Sequence, residues 1–447
     1  MHPLPPVEVP GDNLTRLVPR AASVLDDDRP CAFFFDTDMF RSQCQAILRA
    51  FPQGESRALH ALAMKANPVS AILQIGRELG MGVEVASPGE LEHALRLGFS
   101  PDRIVLDSPA KTRKELKRAL QLGVHINADN LEELARIETL LGGEVASTAS
   151  VIGVRINPQL GEGSIAVVGT VAPTSKFGVP LEENRDILTD WFRRCPWLSA
   201  IHCHVGSQGC PLGLLVQGAQ CVVNLAEEIN ASCATQRVTT LDLGGGMPVD
   251  YNADIIDSKS PHGITPEKFV GALAEKVPAL FSGNYRIVTE YGRWVSAKCG
   301  LLISRVEYTK AAGGRRIASI HAGADVFLRT CYQPSAWPHR VSVWDDRGKF
   351  RDPTKGKTDI WDIVGPVCFR GDIVAAEILL PRELSSGDHI VVHDAGAYTL
   401  AMHSRYNSRQ APAVYGVSNY GNKLEVLVEQ ESMDAALAMW QAPQTEA

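Results

Sequence analysis

Residues 83–106 read VEVASPGELEHALRLGFSPDRIVL, and this stretch decides the fold class. It begins and ends with short apolar runs, Val83-Glu-Val-Ala and Arg103-Ile-Val-Leu, which are typical of buried strands. Between them, Leu91 and Ala94 fall on one face of a predicted helix. A strand, a helix and a second strand in this order predict that the two strands pair in parallel.

The same alternation of strand and helix continues from about residue 30 to about residue 300. About eight such units over roughly 260 residues match a (β/α)8 barrel of the TIM type in size, and an open doubly wound sheet is the alternative. After residue 300 the strands follow one another with turns and without strong helices, which predicts a mostly antiparallel β domain. The strands predicted there start at Leu301, Ile317, Thr358, Asp372, His389 and Lys423.

These patterns predict four segments. Residues 1–36 form an N-terminal segment whose strand joins the β domain, and residues 37–300 form the barrel. Residues 301–430 form the C-terminal β domain. Residues 431–447 form a C-terminal tail, which we expect to be disordered from about Pro443.

The composition excludes several classes of protein. The net charge is −7, and no long Lys/Arg cluster suggests binding to nucleic acid or to an anionic membrane. No apolar run approaches the roughly 18 residues of a membrane span, and the N-terminus lacks the pattern of a secretory signal. The ten cysteines are scattered and form no CxxC pair. We therefore expect a cytoplasmic protein without a disulfide framework or a zinc site.

Two strand ends carry candidate chemistry. Lys65 follows the apolar run Ala61-Leu-Ala-Met, where it is either an edge residue that extends into solvent or an amine for Schiff-base formation. Leu241-Asp-Leu is followed by Gly244, Gly245 and Gly246. Such a loop either makes a tight turn or brings backbone N–H groups close to a phosphate.

Two further strand ends are also candidates. His202 and His204 share one face of a strand. A metal pair is possible, but no third ligand lies at an informative spacing, so hydrogen-bonded core histidines are the better interpretation of this pair by itself. Glu290 and Arg293 form either a surface ion pair or a site with a carboxylate for a ring nitrogen and an arginine for a phosphate or carboxylate.

Together, and in this order, these segments resemble the diaminopimelate/ornithine decarboxylase family of fold-type III pyridoxal-phosphate enzymes, and the diaminopimelate branch is the more similar. The resemblance extends from about Cys31 to about Val428. It rests on Met64-Lys-Ala-Asn-Pro, Glu84-Val-Ala-Ser-Pro-Gly-Glu-Leu, Ser108-Pro-Ala-Lys-Thr, Arg155-Ile-Asn-Pro, Ser175-Lys-Phe-Gly, His204-Val-Gly-Ser, Gly244-Gly-Gly, Glu290-Tyr-Gly-Arg, Gly365-Pro-Val-Cys, Asp394-Ala-Gly-Ala-Tyr and Tyr406-Asn.

The resemblance implies a barrel like that of alanine racemase with a C-terminal β-sandwich or β-barrel domain, and pyridoxal 5′-phosphate as the cofactor. Lys65 would hold the cofactor as a Schiff base, His204 would stack on its ring, and Glu290 would face the ring nitrogen. The other implied cofactor contacts are Ser207, Gly244, Gly245, Gly246, Gly292, Arg293 and Tyr398, with Glu84 and Arg155 behind the ring.

The resemblance also implies a homodimer whose active sites are shared across the interface. Cys368 would reach the site from the other subunit and return a proton to the substrate carbon, as a thiol can do near neutral pH. A carboxylate at Glu290 keeps the ring nitrogen protonated and so favours decarboxylation over racemisation. The implied substrate contacts are Arg293, Arg329, Arg370 and Tyr398.

The chain departs from the family pattern after Gly365-Pro. Diaminopimelate decarboxylases usually have Cys-Glu-Ser there, and the glutamate helps to hold the distal amino group of the substrate. This chain has Cys368-Phe369-Arg370. Arg370 either suits a distal carboxylate or points to solvent. In addition, Tyr332 lies one position earlier than the corresponding family tyrosine.

We therefore expect a decarboxylase for an amino acid with a distal carboxylate, in a specialised biosynthetic pathway. A true meso-diaminopimelate decarboxylase of lysine biosynthesis is the first alternative. An amino-acid racemase or epimerase, a non-catalytic homologue that binds a partner enzyme, and a metal hydrolase that uses the two histidines also stay open.

Overall fold

The computed structural model describes residues 10–52, 58–161, 163, 169–233, 235–253 and 263–441. Its strands, in chain order, are β1 (Cys31–Asp36), β2 (Leu59–Ala63), β3 (Gly82–Val85), β4 (Ile104–Asp107), β5 (His125–Ala128), β6 (Ile152–Asn157), β7 (Val179–Pro180), β8 (Leu198–His202), β9 (Thr240–Asp242), β10 (Arg286–Tyr291), β11 (Gly300–Ala312), β12 (Arg315–Ile320), β13 (Val341–Trp344), β14 (Thr358–Val364), β15 (Ile373–Pro381), β16 (His389–Val392), β17 (Ala413–Ser418) and β18 (Lys423–Val428).

The described α-helices are α1 (Asp12–Ala22), α2 (Thr37–Ala50), α3 (Ser70–Glu78), α4 (Pro88–Arg96), α5 (Arg113–Leu122), α6 (Leu131–Leu141), α7 (Leu181–Arg194), α8 (Leu212–Ser232), α9 (Pro266–Lys276), α10 (Arg293–Ser296), α11 (Leu328–Tyr332) and α12 (Met433–Ala438). In the described part of the chain, no helix is both long enough and apolar enough to cross a bilayer. The tail predicted to be disordered from Pro443 lies outside the described residues.

The chain forms two compact units, and one of them is the barrel. Its described residues fall within 41–250 and 256–295. Eight parallel strands pair in the closed order β2, β3, β4, β5, β6, β8, β9, β10 and back to β2, and the two-residue β7 pairs with β6. This confirms the predicted (β/α)8 barrel, and closure of the sheet makes the open doubly wound alternative wrong.

Local sequence explains where the barrel helices begin. Ser87 caps α4 and is followed by proline, Thr112 and Glu115 form a reciprocal capping box on α5, and Asn130 caps α6. The strands between them are short and almost wholly buried, as parallel strands covered on both faces must be. Because all eight strands run in one direction, the side chains at their carboxyl ends gather at one end of the barrel.

The second unit is a mixed, mostly antiparallel sheet. Its described residues fall within 1–40, 251–255 and 296–447. Strand β1 lies between β11, to which it is antiparallel, and β17, to which it is parallel; β12 and β14 form a second parallel pair. The C-terminal β domain is therefore confirmed, with two parallel contacts. These contacts are possible because the paired strands are not joined by hairpin turns.

The amphipathic helix α1 covers one part of this sheet. Leu17, Val18 and Ala21 on its buried face belong to one apolar cluster with Phe34 of β1 and Tyr415 of β17. The rings of Phe34 and Tyr415 stack with 5.3 Å between their centroids. Burial of apolar surface of this kind is the main stabilising term for such a sheet.

Candidate active site

Lys65 lies in the 3-10 turn Met64–Ala66, directly after β2. Its side chain is 40% exposed, and its Nζ forms an ion pair with the fully buried carboxylate of Glu84 on β3. Burial raises the pKa of Glu84 to about 7; nearby Lys65 acts in the opposite direction, and Asp107 adds to the rise. The amine is therefore reachable from solvent and is held at the end of its strand by a carboxyl group that is easily protonated.

Glu290 lies on β10 beside β2 and is 2% exposed. Neither of its carboxyl oxygens has a hydrogen-bond partner among the described residues. Burial raises its pKa well above the ordinary value, and the neighbouring carboxyl groups of Asp242, Asp107 and Glu84 raise it further. A buried carboxyl group without a partner is costly, so this one is suited to a cationic ligand atom.

Arg293 begins α10, three residues after Glu290, and is 4% exposed. Its Nε donates a 3.0 Å hydrogen bond to the Oγ of Ser207, in the loop after β8. Glu290 and Arg293 are both buried, so the surface ion pair considered from the sequence is wrong. A buried guanidinium beside a serine hydroxyl is a suitable anchor for a phosphate or carboxylate.

The glycine loop follows β9. The N–H of Gly245 donates a 3.0 Å hydrogen bond to Nδ1 of His204, and the N–H of Gly244 donates to Oδ1 of Asp242 at 2.9 Å. A Cβ on Gly245 would collide with the carbonyl oxygen of Glu290. Gly244 and Gly246 have φ values of 62° and 114°, which favour glycine. The loop therefore lies close to two of the candidate side chains and orients one of them.

Arg155 of β6 links the carboxylates at the ends of β4 and β5. Its Nη1 lies 3.3 Å from Asp107 and 3.8 Å from Asp129, and its guanidinium stacks on the ring of Phe177. Burial raises the pKa of Asp129 to about 6 against the effect of Arg155. Asp107 is also buried, but nearby His202 and Arg155 hold its pKa below the ordinary range.

Sequence reasoning missed one buried group in the barrel. His202 of β8 is fully buried, and neither ring nitrogen has a hydrogen-bond partner among the described residues, so its interpretation as a satisfied core histidine was wrong. Its neighbours are Asp107 and Glu290, which come from β4 and β10. Both carboxylates end apolar strands in the sequence, and that shared position is the signal that could have grouped them with His202.

The remaining predicted residues lie in the β unit. Arg329, on α11, places its guanidinium 4.9 Å from the ring centroid of Tyr398. Cys368 is exposed, and its backbone N–H donates to Oδ1 of Asn407 at 2.9 Å. Phe369, the next residue, stacks on Tyr332 with 5.1 Å between ring centroids.

Two observations define the loop that carries Cys368. Arg370 is exposed and makes no hydrogen bond or ion pair with the described residues. Asp372 is buried and accepts the N–H groups of Ala324 and Val367, at 2.6 and 2.5 Å, which fixes the base of the loop. The loop therefore exposes the thiol of Cys368 and the guanidinium of Arg370, and Asp372 holds its base in place.

Comparison with known proteins agrees with this geometry. Residues 37–297 match the family model described as pyridoxal-dependent decarboxylase, pyridoxal binding domain, which covers more than half of the chain. The chain belongs to this family.

Relatives of this pyridoxal-dependent decarboxylase include two curated diaminopimelate decarboxylases. The protein from Haemophilus influenzae is 32% identical over 80% of this chain and 82% of its own length. The protein from Pseudomonas fluorescens is 30% identical over 83% of this chain and 84% of its own length. Among solved structures, diaminopimelate decarboxylase from Helicobacter pylori complexed with L-lysine is 26% identical, with a TM-score of 0.80 over 94% of this chain and 98% of that one.

The decarboxylase uses pyridoxal phosphate, and the residues in its barrel fit that cofactor. The unpartnered buried carboxyl of Glu290 suits a protonated ring nitrogen, and the glycines let the loop pack directly against His204 and Glu290. Arg293 and Ser207 are suitable donors for a phosphate, as is the N–H of Gly246, which has no partner among the described residues. Lys65 supplies the reachable amine.

Proposed function

We propose that this pyridoxal-phosphate-dependent decarboxylase acts on an amino acid whose side chain ends in a carboxylate. The observation that carries the proposal is Arg370, an exposed guanidinium without an ion-pair partner among the described residues, on the loop that presents Cys368. Arginine binds carboxylates through paired charge-assisted hydrogen bonds. The distal carbon of diaminopimelate carries an ammonium group beside its carboxylate, and the guanidinium repels that ammonium, so a distal carboxylate without an ammonium group suits Arg370 better. The stacked rings of Phe369 and Tyr332 add an apolar wall beside it.

The roles of the barrel residues are part of the proposal. Lys65 would hold the cofactor covalently, and His204 would lie against its ring, oriented by its hydrogen bond from Gly245. Glu290 would accept a hydrogen bond from the protonated ring nitrogen. When bound, pyridoxal phosphate supplies the electron sink for the pair that remains when the bond between Cα and the carboxylate breaks.

The remaining cofactor contacts are proposed on the same basis. Ser207 and Arg293 already share a hydrogen bond, and together they offer two donors to a phosphate. The positions proposed to complete this set are Gly244, Gly245, Gly246, Gly292 and Tyr398. Glu84 would keep the amine of Lys65 in place, and Arg155 would act through Asp107 and Asp129 behind the ring.

Cys368 is proposed as the acid that completes the reaction. Its S–H bond would break as a new C–H bond forms at Cα, leaving a thiolate that water reprotonates. Its exposure and the fixed base of its loop support this role. We propose that it serves the active site of a second copy of the chain in a homodimer, and that Arg329 and Arg370 contact substrate carboxylates.

The second candidate is a true meso-diaminopimelate decarboxylase, which identities of 30 to 32% with curated enzymes of that activity favour. A panel assay separates the two. Purified protein with added pyridoxal phosphate is tested for CO2 release from meso-diaminopimelate, lysine, ornithine, arginine, glutamate and a citryl-amino-acid conjugate, with Lys65→Ala as the control. We expect release from an acidic substrate. Efficient release from meso-diaminopimelate that depends on Lys65 would establish the second candidate instead.

A further inference from the structure

Three ionisable side chains meet at the candidate cofactor site, and one of them is Glu290. His202 Nδ1 lies 3.7 Å from Oδ1 of Asp107, and His202 Nε2 lies 3.9 Å from Oε2 of Glu290. The three residues come from β4, β8 and β10, and their side chains are almost wholly buried, with exposures of 6%, 0% and 1%. The two carboxyl groups therefore lie close to the imidazole and to each other: one oxygen of each and one ring nitrogen are within 4.8 Å of one another.

The polar atoms of this group are incompletely paired. Both nitrogens of His202, both oxygens of Glu290 and Oδ1 of Asp107 lack a hydrogen-bond partner among the described residues. Buried polar atoms in this state are rare, because leaving such an atom unpaired destabilises the folded protein. Both separations exceed a hydrogen bond by less than about 1 Å.

The surrounding charges decide where the protons lie. Asp107 is also held by Arg155 at 3.3 Å, and with His202 this keeps its pKa low in spite of burial. Burial and nearby carboxylates raise the pKa of Glu290, while burial lowers the pKa of His202. The charged or titratable groups that act on His202 are Asp107, Asp242, Arg155, Lys65, His125 and His204.

This arrangement fixes the tautomer of the histidine. Asp107 is an anion and can only accept, so the neutral imidazole keeps its proton on Nδ1, toward Asp107. Nε2 then has a free lone pair toward Glu290, which is protonated when no cation faces it. Nε2, which lies 3.9 Å from Oε2 of Glu290, is therefore the nitrogen that is free to take up a proton.

We propose that His202 is a positioning residue for Glu290: its Nε2 takes up the proton of the Glu290 carboxyl, so that Glu290 meets the ring nitrogen of the cofactor as a carboxylate. The O–H bond of Glu290 breaks and an Nε2–H bond forms. The resulting imidazolium is stabilised by the nearby carboxylates of Asp107 and Glu290. The inference rests on the proposed contact between Glu290 and the ring nitrogen.

Two cofactors test it directly: pyridoxal phosphate, and an analogue in which C–H replaces the ring nitrogen. The dissociation constant of each is measured for the native protein, His202→Phe, His202→Gln and a control, His60→Gln. His60 is a buried histidine on β2 that bonds Thr289 and packs on Tyr291. Those two residues flank Glu290 on β10 and so face the opposite side of the sheet.

We expect His202→Phe to weaken binding of pyridoxal phosphate about 10- to 100-fold while binding of the analogue stays within about twofold. His202→Gln can donate to Glu290 but cannot take up its proton. This variant is also expected to lose the preference for pyridoxal phosphate over the analogue. The ring nitrogen of its bound cofactor should lose its proton at a lower pH than in the native protein, and a pH titration of the visible absorption measures this. His60→Gln should behave as the native protein does.

Four outcomes would overturn the proposal. If either His202 variant binds both cofactors more weakly by the same factor, His202 has only a structural role. The same conclusion follows if both variants keep the native preference for pyridoxal phosphate over the analogue. If the native protein itself binds both cofactors equally, the proposed contact of Glu290 is wrong, which is a failure of the proposed function. A divalent cation bound tightly in the purified protein would also contradict the proposal, since it would hold the same three groups.

Discussion

The backbone N–H of Gly245 donates a hydrogen bond to Nδ1 of His204, with 3.0 Å between the two nitrogens. A nitrogen that accepts carries no proton, so the neutral imidazole of His204 keeps its proton on Nε2. Burial, with Arg155 and Lys65 nearby, holds the pKa of His204 well below its ordinary value, which keeps the ring neutral. The glycine loop therefore sets the orientation and tautomer of the histidine, and burial with the nearby cations sets its charge.

Gly245→Ala should break this arrangement, because the added methyl group would collide with the carbonyl oxygen of Glu290. We expect affinity for pyridoxal phosphate to fall at least about tenfold, which is ~1.4 kcal/mol. Titration of the visible absorption of bound cofactor measures it. Gly271→Ala is the matched control, because a Cβ there meets no atom within 4 Å. If Gly245→Ala binds pyridoxal phosphate as tightly as the native protein does, the position of the glycine loop does not affect cofactor binding.

The raised pKa of Glu84 predicts that the stability of the folded protein depends on pH. Its folded-state pKa of about 7 lies above its ordinary value of 4.5, so the folded apoprotein binds this proton more tightly than the unfolded chain does. The stability that the group contributes is therefore present below about pH 4.5 and is lost as the pH rises through about 7. The thermal midpoint of Glu84→Gln, relative to that of the native apoprotein, should rise between about pH 5 and about pH 8.

The exposed Glu92→Gln is the control for this measurement, and its midpoint should follow that of the native apoprotein at every pH. A constant difference between Glu84→Gln and the native apoprotein across the same range would contradict the assignment of a raised pKa to Glu84.

Cys368→Ser should lower kcat about 10²- to 10⁴-fold, because the hydroxyl is a much weaker acid than the thiol, and leave the visible absorption of bound cofactor unchanged. Steady-state assays and absorption spectra of the same preparation measure both. Cys221→Ser, at a partly buried cysteine on α8, is the control and should keep native activity. An equal loss in both variants would indicate general damage to the protein.

The proposed sharing of sites between two copies predicts complementation. Lys65→Ala and Cys368→Ala should each be inactive as single preparations. After mixing and subunit exchange, half of the dimers contain one chain of each kind, and one of their two sites is intact. Activity should therefore recover to about a quarter of the native value. No recovery, with mixed dimers demonstrated by mass spectrometry, would place both residues in the site of one chain.

Arg370→Gln should lower kcat/KM for the acidic substrate about 10- to 100-fold, since a charge-assisted pair is lost. The double variant Phe369→Glu, Arg370→Ser should gain activity on meso-diaminopimelate. Competition between the two substrates in one reaction measures the change in preference. Arg382→Gln, at a surface arginine paired with Asp359, is the control. If Arg370→Gln keeps the native preference, the guanidinium only faces solvent.

The sequence predicts the barrel well because its strands are continuous apolar runs separated by capped helices. It does not predict β13 or β17. β13 has only four residues, and β17 follows Pro412 and contains Gly416, which are both unfavourable in strands. Local sequence patterns also do not specify which strands pair with each other, so they could not predict the parallel pairing of β1 with β17.

The candidate site shows a similar limit. Lys65, His204 and Glu290 each stand in a motif that can be recognised along the chain. The grouping of Asp107, His202 and Glu290 arises only when three strands are brought side by side, and the sequence separates the first and last of them by more than 180 residues. Ring closure, rather than any single motif, creates that contact.

The position of β1 has a consequence for biosynthesis. Thr37, just after β1, donates a hydrogen bond to the carbonyl of Val417, 380 residues later. On a ribosome that adds about 5–20 residues per second, the first strand emerges roughly 20–80 s before its parallel partner. During that interval the edge of β1 that will pair with β17 is open to pairing with other nascent chains, so a chaperone that shields the N-terminal segment would be expected to raise the yield of active protein.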